Sequence, residues 1–225
     1  MKIKSMLKFT SCEQFKSFVE AIDKMNWKIE KQLLKERVEK YGQTYIFQML
    51  KKQFYQENIS IWPLKDEEVI TWIDTLTILR RTIEQIEVRG VQLDKLSIIM
   101  EYPLVFGNHM RTDYLLVYDR LIIVLEFGMF NQDEKRSEER YTKKLQDSIN
   151  HRQVLVNMID SRVKVINYVL VYRPEVDRMK SLIMSENINY NNCEIGLLSD
   201  FIIKNIIEQN SVSAISQLQI INNFT

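Results

Sequence analysis

A chain of 225 residues is long enough for one large domain or two small ones with a core of ordinary size, and 45% hydrophobic with 27% charged residues describes a globular protein, not a disordered or fibrous one. Lysine plus arginine (31) nearly cancels aspartate plus glutamate (30), which excludes a global basic field and leaves only local patches for binding polyanions. Two cysteines far apart, Cys12 and Cys193, argue against a disulfide framework and for a reducing compartment. The start, MKIKSMLKFTSCEQF, has no apolar signal core, and no apolar run approaches the roughly 20 residues of a spanning helix. The expectation is a cytoplasmic protein with no membrane contact.

The first ninety residues read as helical. Ser11 and Gln14 fit a capping box, and Phe15, Phe18, Val19 and Ile22 then recur at helix spacing. Residues 27–57 continue that habit, with Leu33, Leu34, Val38, Tyr41, Tyr45, Ile46, Met49 and Leu50 on shifting faces and a break near Gly42, so two helices are expected. After Pro63, the acids Asp66, Glu67 and Glu68 open a third helix that runs through Val69, Ile73, Leu76, Leu79, Ile83 and Ile86 until Gly90 closes it. Trp27, Trp62 and Trp72 lie in helical context and read as core or interface.

Beyond Gly90 the period changes. Residues 96–106 read as a strand, with a turn at Gly107 and Asn108. The segment 111–128, RTDYLLVYDRLIIVLEFG, reads as two apolar strands meeting at Asp119 and Arg120, apolar on both faces as in the middle of a covered sheet. Residues 133–159 form an amphipathic helix with Tyr141, Leu145, Ile149, Leu155, Val156 and Ile159 as its inward stripe. Residues 163–172 are another apolar strand, stopped by Pro174. A shorter helix from Glu175, a loop at the Asn cluster 187–192, an edge strand at 193–198 and closing helices from Ser199 complete the reading. His109 and His151 show no metal-ligand spacing and read as ordinary surface or turn residues.

A two-residue turn at Asp119 and Arg120 fixes the register: cross-strand partners have numbers summing to 239, so Tyr118 faces Leu121, Leu116 faces Ile123, and Asp113 faces Glu126. Directly opposed side chains have Cβ atoms roughly 4.5–5.5 Å apart, and like charges so placed are destabilising. A divalent cation on the carboxylate oxygens is the natural compensation. On this reading, Asp113→Asn removes repulsion and leaves stability equal or higher.

The order strand, strand, strand, helix, strand, with Asp113 on the second strand and Glu126-Phe127-Gly128 ending the third, resembles the PD-(D/E)XK nuclease superfamily over about residues 94–172. The resemblance implies an α/β fold: a central mixed sheet with an αβββαβ nuclease-like core in residues 91–225, behind a helical N-terminal region in 1–90. It implies hydrolysis of nucleic-acid phosphodiesters, DNA before RNA, as in restriction, repair or defence. It also implies Mg²⁺, with Mn²⁺ able to substitute, on Asp113, Glu126 and the carbonyl of Phe127. Where the family has lysine this chain has Gly128. Some relatives supply the amine from the following helix, where Lys143, Gln146 and Asn150 share one face. Lys143 is the choice for the migrated lysine, one position ahead of Lys144, and Gln146 takes the glutamine role of the recB-like branch. Arg111, on the same strand face as Asp113, is placed to meet a phosphate, with Lys144 and Asn150 as further substrate contacts. Glu101 is a candidate contributor from the first strand.

The departure at Gly128 keeps a second reading open, a catalytically degenerate relative that binds nucleic acid or a partner protein. A third assigns a dimer or partner surface to the helical first ninety residues. Asp113 and Glu126 could also be solvated strand-end residues, and the charges of 135–152 a solvated face with pairs such as Glu139 and Lys143.

Overall fold

A computed structural model of the chain describes residues 5–25, 27–29, 34–57, 63–104, 110–129, 134–173, 178–183, 188–190 and 195–211, with backbone only for 134–138, 173, 178–183 and 188–190. The chain opens with a short strand, β1 (Leu7–Phe9), and helix α1 (Cys12–Asp23). Ser11 caps α1 by accepting the Gln14 N–H at 3.3 Å, while Gln14 Oε1 takes the Thr10 N–H at 2.8 Å. These reciprocal bonds satisfy donors that a helix start leaves open. Helix α2 (Leu34–Tyr41) is separated from α3 (Tyr45–Glu57) at Gly42, where a Cβ would stand 2.6 Å from the Val38 carbonyl oxygen. Helix α4 (Asp66–Val88) begins with three acids that favour its positive N-terminal end. It ends at Gly90, φ 79°, a conformation glycine adopts without penalty.

The remaining elements are β2 (Leu96–Pro103), β3 (Arg111–Tyr118), β4 (Leu121–Met129), α5 (Glu134–Met158), β5 (Lys164–Arg173), β6 (Arg178–Ile183), β7 (Ile188–Tyr190) and α6 (Ile195–Ser211). The strands make one mixed sheet in chain order, β1 to β7. Among the described strands only β4 and β5 run parallel, as the intervening α5 permits, since a parallel pair needs a crossover. The β3–β4 hairpin has the expected register, from Tyr118↔Leu121 through Leu116↔Ile123 to Tyr114↔Leu125. Its turn holds Asp119 at φ 49°, a region Asp tolerates better than most residues.

The fold is α/β, with helices on both sheet faces. Helix α5 covers one face over Val169 and Val171 and, further along, over Leu115, Val124 and Val165. The other face, including Tyr114, Leu116, Leu125, Tyr168 and Leu170, joins α1, α3, α4 and α6 in one apolar cluster that spans both sides of residue 90. Deep in that cluster Asp74 is fully buried, paired with Arg37 at 2.7 Å and bonded by Trp27 Nε1 at 2.9 Å and the Tyr172 hydroxyl at 3.2 Å. Buried charge is stable only when its hydrogen-bonding capacity is met in this way.

Several expected elements differ. The first ninety residues also supply β1. Residues 178–183, within the span read as a shorter helix, form β6, and 188–190 of the Asn cluster form β7. Ile195–Leu198 begins α6 and is not an edge strand, because Leu198, Ile202 and Ile206 recur every fourth residue and are all buried. Val156, read as inward, is 42% exposed, whereas Ser148 and His151 of α5 are buried. The Gly107–Asn108 turn, His109, Trp62 and the end of the 96–106 strand lie outside the described residues. Among the described residues no helix is long and apolar enough to cross a membrane.

Candidate functional site

Past Tyr114↔Leu125 the β3–β4 ladder passes from backbone to side chains. Asp113 Oδ2 accepts the Phe127 N–H at 2.8 Å, and Glu126 Oε1 accepts the Asp113 N–H at 3.3 Å. Each acid is thus tied to the strand of the other. In an antiparallel pair a residue's N–H and C=O address the same neighbour, so the Phe127 carbonyl also faces the β3 side, beyond the last backbone pair of the ladder.

The compensating charge comes from the chain itself. Lys144 Nζ lies 2.8 Å from Asp113 Oδ2 and 3.0 Å from Glu126 Oε2. Its stem runs past Gly128, where a Cβ would be 3.6 Å from Lys144 Cγ and 3.2 Å from Val171 Cγ2. One position along, Leu145 packs on Val169 and Val171, which fixes the rotation of α5 and turns Lys144 inward. Ser148 and His151 follow at i+4 and i+7 on the same face. His151 Nδ1 is 2.8 Å from Glu126 Oε1, both residues being buried, and Ser148 Oγ accepts from the buried Asn167 amide at 2.6 Å.

These contacts set the electrostatics. Burial pushes the Glu126 carboxyl up and the neighbouring Asp113 charge adds to this, against the pull of Lys144 and His151. Burial also acts upward on Asp113, but the charge and hydrogen bond of Lys144, with the Phe127 N–H and Glu126, hold it below the ordinary carboxylate range. Burial acts downward on Lys144, yet the two carboxylates outweigh it and raise the ammonium above the ordinary lysine value. Lys144 is therefore a fixed positive charge, not a base.

Glu101 is a third acid at the edge of this group. Its φ of 54° is a rare, strained backbone conformation for a non-glycine residue in a strand. The facing of β2 inverts there: Ile98 and Met100 join the cluster under α4, whereas Leu104 and Tyr102 join that under α5. The buried Glu101 carboxylate accepts from Trp72 Nε1 at 2.7 Å and pairs with Arg111 Nε. Burial pushes it up to about 8, against the opposing charge of Arg111 and with that of Asp113.

Asp113, Glu126 and Phe127 thus come together as expected. The lysine among them is Lys144, not Lys143: Lys143 is on the exposed side of α5, because the helix turns the adjacent position to the sheet. Gln146 and Asn150 lie on that same exposed side and bond to each other at 3.0 Å, so the structure brings neither to the acids. Arg111 pairs with Glu101 and lies over the Phe54 ring at 5.7 Å. His151, read as an ordinary residue, is in the site; its position at i+7 from Lys144 and i−4 from the buried Leu155 was the available signal.

The repulsion that called for a metal is met by Lys144, so opposed charge alone no longer demands a cation. Asp113 Oδ2 and Glu126 Oε2 converge on the Lys144 ammonium, so a cation taken by the same two oxygens would share them with Lys144 or displace it. Mg²⁺ typically takes one or two carboxylates and leaves its other positions to water and phosphate. Among the described residues no group of three or more His, Cys, Asp and Glu side chains gathers at a metal-binding distance. No protein-family model matches the chain, and no curated protein matches it.

Proposed function

We propose that the chain is a metal-dependent phosphodiester hydrolase of nucleic acid, built on a PD-(D/E)XK-like α4–β2–β3–β4–α5–β5 core in which the lysine has moved from position 128 to Lys144. The carrying observation is the pair of contacts from Lys144 Nζ to Asp113 and Glu126 beside a glycine that leaves the stem room. Asp113, Glu126 and the Phe127 carbonyl would hold Mg²⁺, or Mn²⁺ in its place, which when bound polarises a phosphoryl oxygen and favours attack by water. Lys144, held protonated, supplies positive charge where negative charge develops on the phosphoryl oxygens. His151 and the Asp113 N–H fix Glu126 Oε1, which keeps Oε2 directed at the reaction centre.

The reading is tested by titrating Mn²⁺ into the protein by calorimetry and assaying Mg²⁺- or Mn²⁺-dependent cleavage of DNA and RNA panels. Binding that is lost in Asp113→Asn, together with cleavage lost in the same variant, is the expected result. Cleavage unaffected by Asp113→Asn assigns the activity elsewhere.

One observation favours a second reading. The acids are already neutralised by Lys144, which a degenerate, purely binding relative would also tolerate as a permanent ion-pair clamp. Absence of Mn²⁺ binding in the parent, with nucleic acid still bound, selects that reading.

A further inference from the structure

Arg111 is held in a way that the acid–lysine cluster does not require. Its Nε pairs with the buried Glu101, whose other oxygen is fixed by Trp72 Nε1 at 2.7 Å. Its guanidinium carbon stands 5.7 Å from the centre of the Phe54 ring, and Phe54 is in turn 5.7 Å from the Trp72 ring. The group is thus tied on one edge and supported on one face. The contact with Glu101 is an ion pair, and among the described residues no Arg111 nitrogen donates a hydrogen bond. A quarter of the side chain is exposed, and Arg111 sits two residues before Asp113 on the same strand. Glu101 itself has φ 54°, and strain of this kind persists where surrounding structure imposes it, often at functional sites.

We infer that Arg111, two residues before Asp113 on β3, is a phosphate-binding fork and that Glu101, with Trp72 and Phe54, is the device that positions it. A guanidinium anchored through Nε still offers two parallel N–H donors, the geometry that suits phosphate oxygens. Glu101 accordingly serves as an anchor for Arg111 and not as a metal ligand. This inference rests on the nuclease reading and adds to it the group that grips a phosphate beside the reacting one.

The test needs no catalysis. With EDTA present, the affinity of the full chain for fluorescein-labelled dT15 and for a duplex of the same length is measured by anisotropy over a range of salt. Arg111→Lys keeps the charge but loses the fork, and should weaken binding roughly tenfold with the salt slope unchanged. The double variant Glu101→Gln/Arg111→Ala avoids stranding a buried carboxylate; it should weaken binding at least as much and lower the salt slope by about one. Phe54→Leu, which removes only the platform, should weaken binding about threefold. Parent-like affinity in both Arg111 variants overturns the fork while leaving the nuclease reading in place. A parent that binds neither probe, with or without Mg²⁺, overturns both.

Discussion

Lys144 and Gly128 are matched: the lysine stem passes 3.6 Å from where a Cβ on Gly128 would stand, and its ammonium reaches both acids. A side chain at 128 would also press on Val171 at 3.2 and 3.4 Å, inside a buried strand that has little freedom to yield. Gly128→Ala should therefore lower stability by about 1–3 kcal/mol. Gly128→Lys, which writes the family pattern into the strand, should cost more and bring no gain of activity. Thermal melting and a cleavage assay check both; an unchanged melting temperature in Gly128→Ala would show that the space is larger than these distances imply.

Lys144→Met removes the charge that both acids share. Breaking a wholly buried pair typically costs about 3–5 kcal/mol, and a quarter-exposed Lys144 should cost less, about 2–3 kcal/mol at neutral pH. The sign of the pH dependence follows from the shifts. Lys144 is raised in the fold, so its contribution is present below the unfolded lysine value near 10.4 and is lost as pH rises through the folded value. Asp113 is lowered, so its contribution is present above about 3.9 and is lost as pH falls through the folded value. The deficit of Lys144→Met should be greatest between about pH 5 and 10 and should shrink as the acids take up protons below about pH 4. A deficit that is constant from pH 3 to 8 in denaturant titrations would rule out the ion pair as its source.

Asp113→Asn now carries the opposite sign from the one that opposed acids alone suggest. With Lys144 between the acids, the ionised Asp113 is favoured in the fold, and its loss should lower stability by about 1 kcal/mol near neutrality, a modest figure because a quarter of the side chain is exposed. The difference should vanish as pH falls through the folded Asp113 value. A variant more stable than the parent at pH 7 would restore the repulsion argument.

His151 should discriminate between substitutions by the position of the nitrogen. Asparagine can place an amide N–H near the position of Nδ1, whereas leucine keeps bulk and leaves Glu126 Oε1 with only the long Asp113 N–H bond. His151→Leu should cost about 1–3 kcal/mol through the unsatisfied buried carboxylate and should lower kcat with little change in KM, with His151→Asn retaining much of both. Equal losses in the two variants would reduce His151 to a packing residue.

The hairpin and its neighbours were readable because two short-range rules coincide there: a two-residue link sets the register by arithmetic, and apolar runs bounded by turn residues leave little choice of element. The β3–β4 register follows from these. The lysine was missed by one position because the rotation of α5 depends on which residues the sheet accepts. Leu145 against Val169 and Val171 decides it, and a helix carrying Lys143, Lys144, Gln146 and Asn150 in succession offers two plausible polar faces. Buried Ser148 and His151 further blur the stripe, since a polar inward face reads as an outward one. Glu101 was ambiguous for a different reason: strand alternation fails at a residue with positive φ, and nothing local in SIIMEYP announces it. The end of the chain was misread where short runs such as 193–198 suit either period, until the fourfold spacing of Leu198, Ile202 and Ile206 is taken together with what covers them.

Single-turnover cleavage with Mg²⁺ or Mn²⁺ at saturating protein, comparing the parent with Lys144→Ala and Lys143→Ala, decides whether Lys144 is the migrated lysine of the proposed nuclease. Lys144→Ala should lower the cleavage rate by about 100-fold or more, in the range found for removal of one transition-state charge donor, while Lys143→Ala should stay within about threefold of the parent. Equal, robust cleavage by the parent and Lys144→Ala, or a large loss confined to Lys143→Ala, would contradict that assignment.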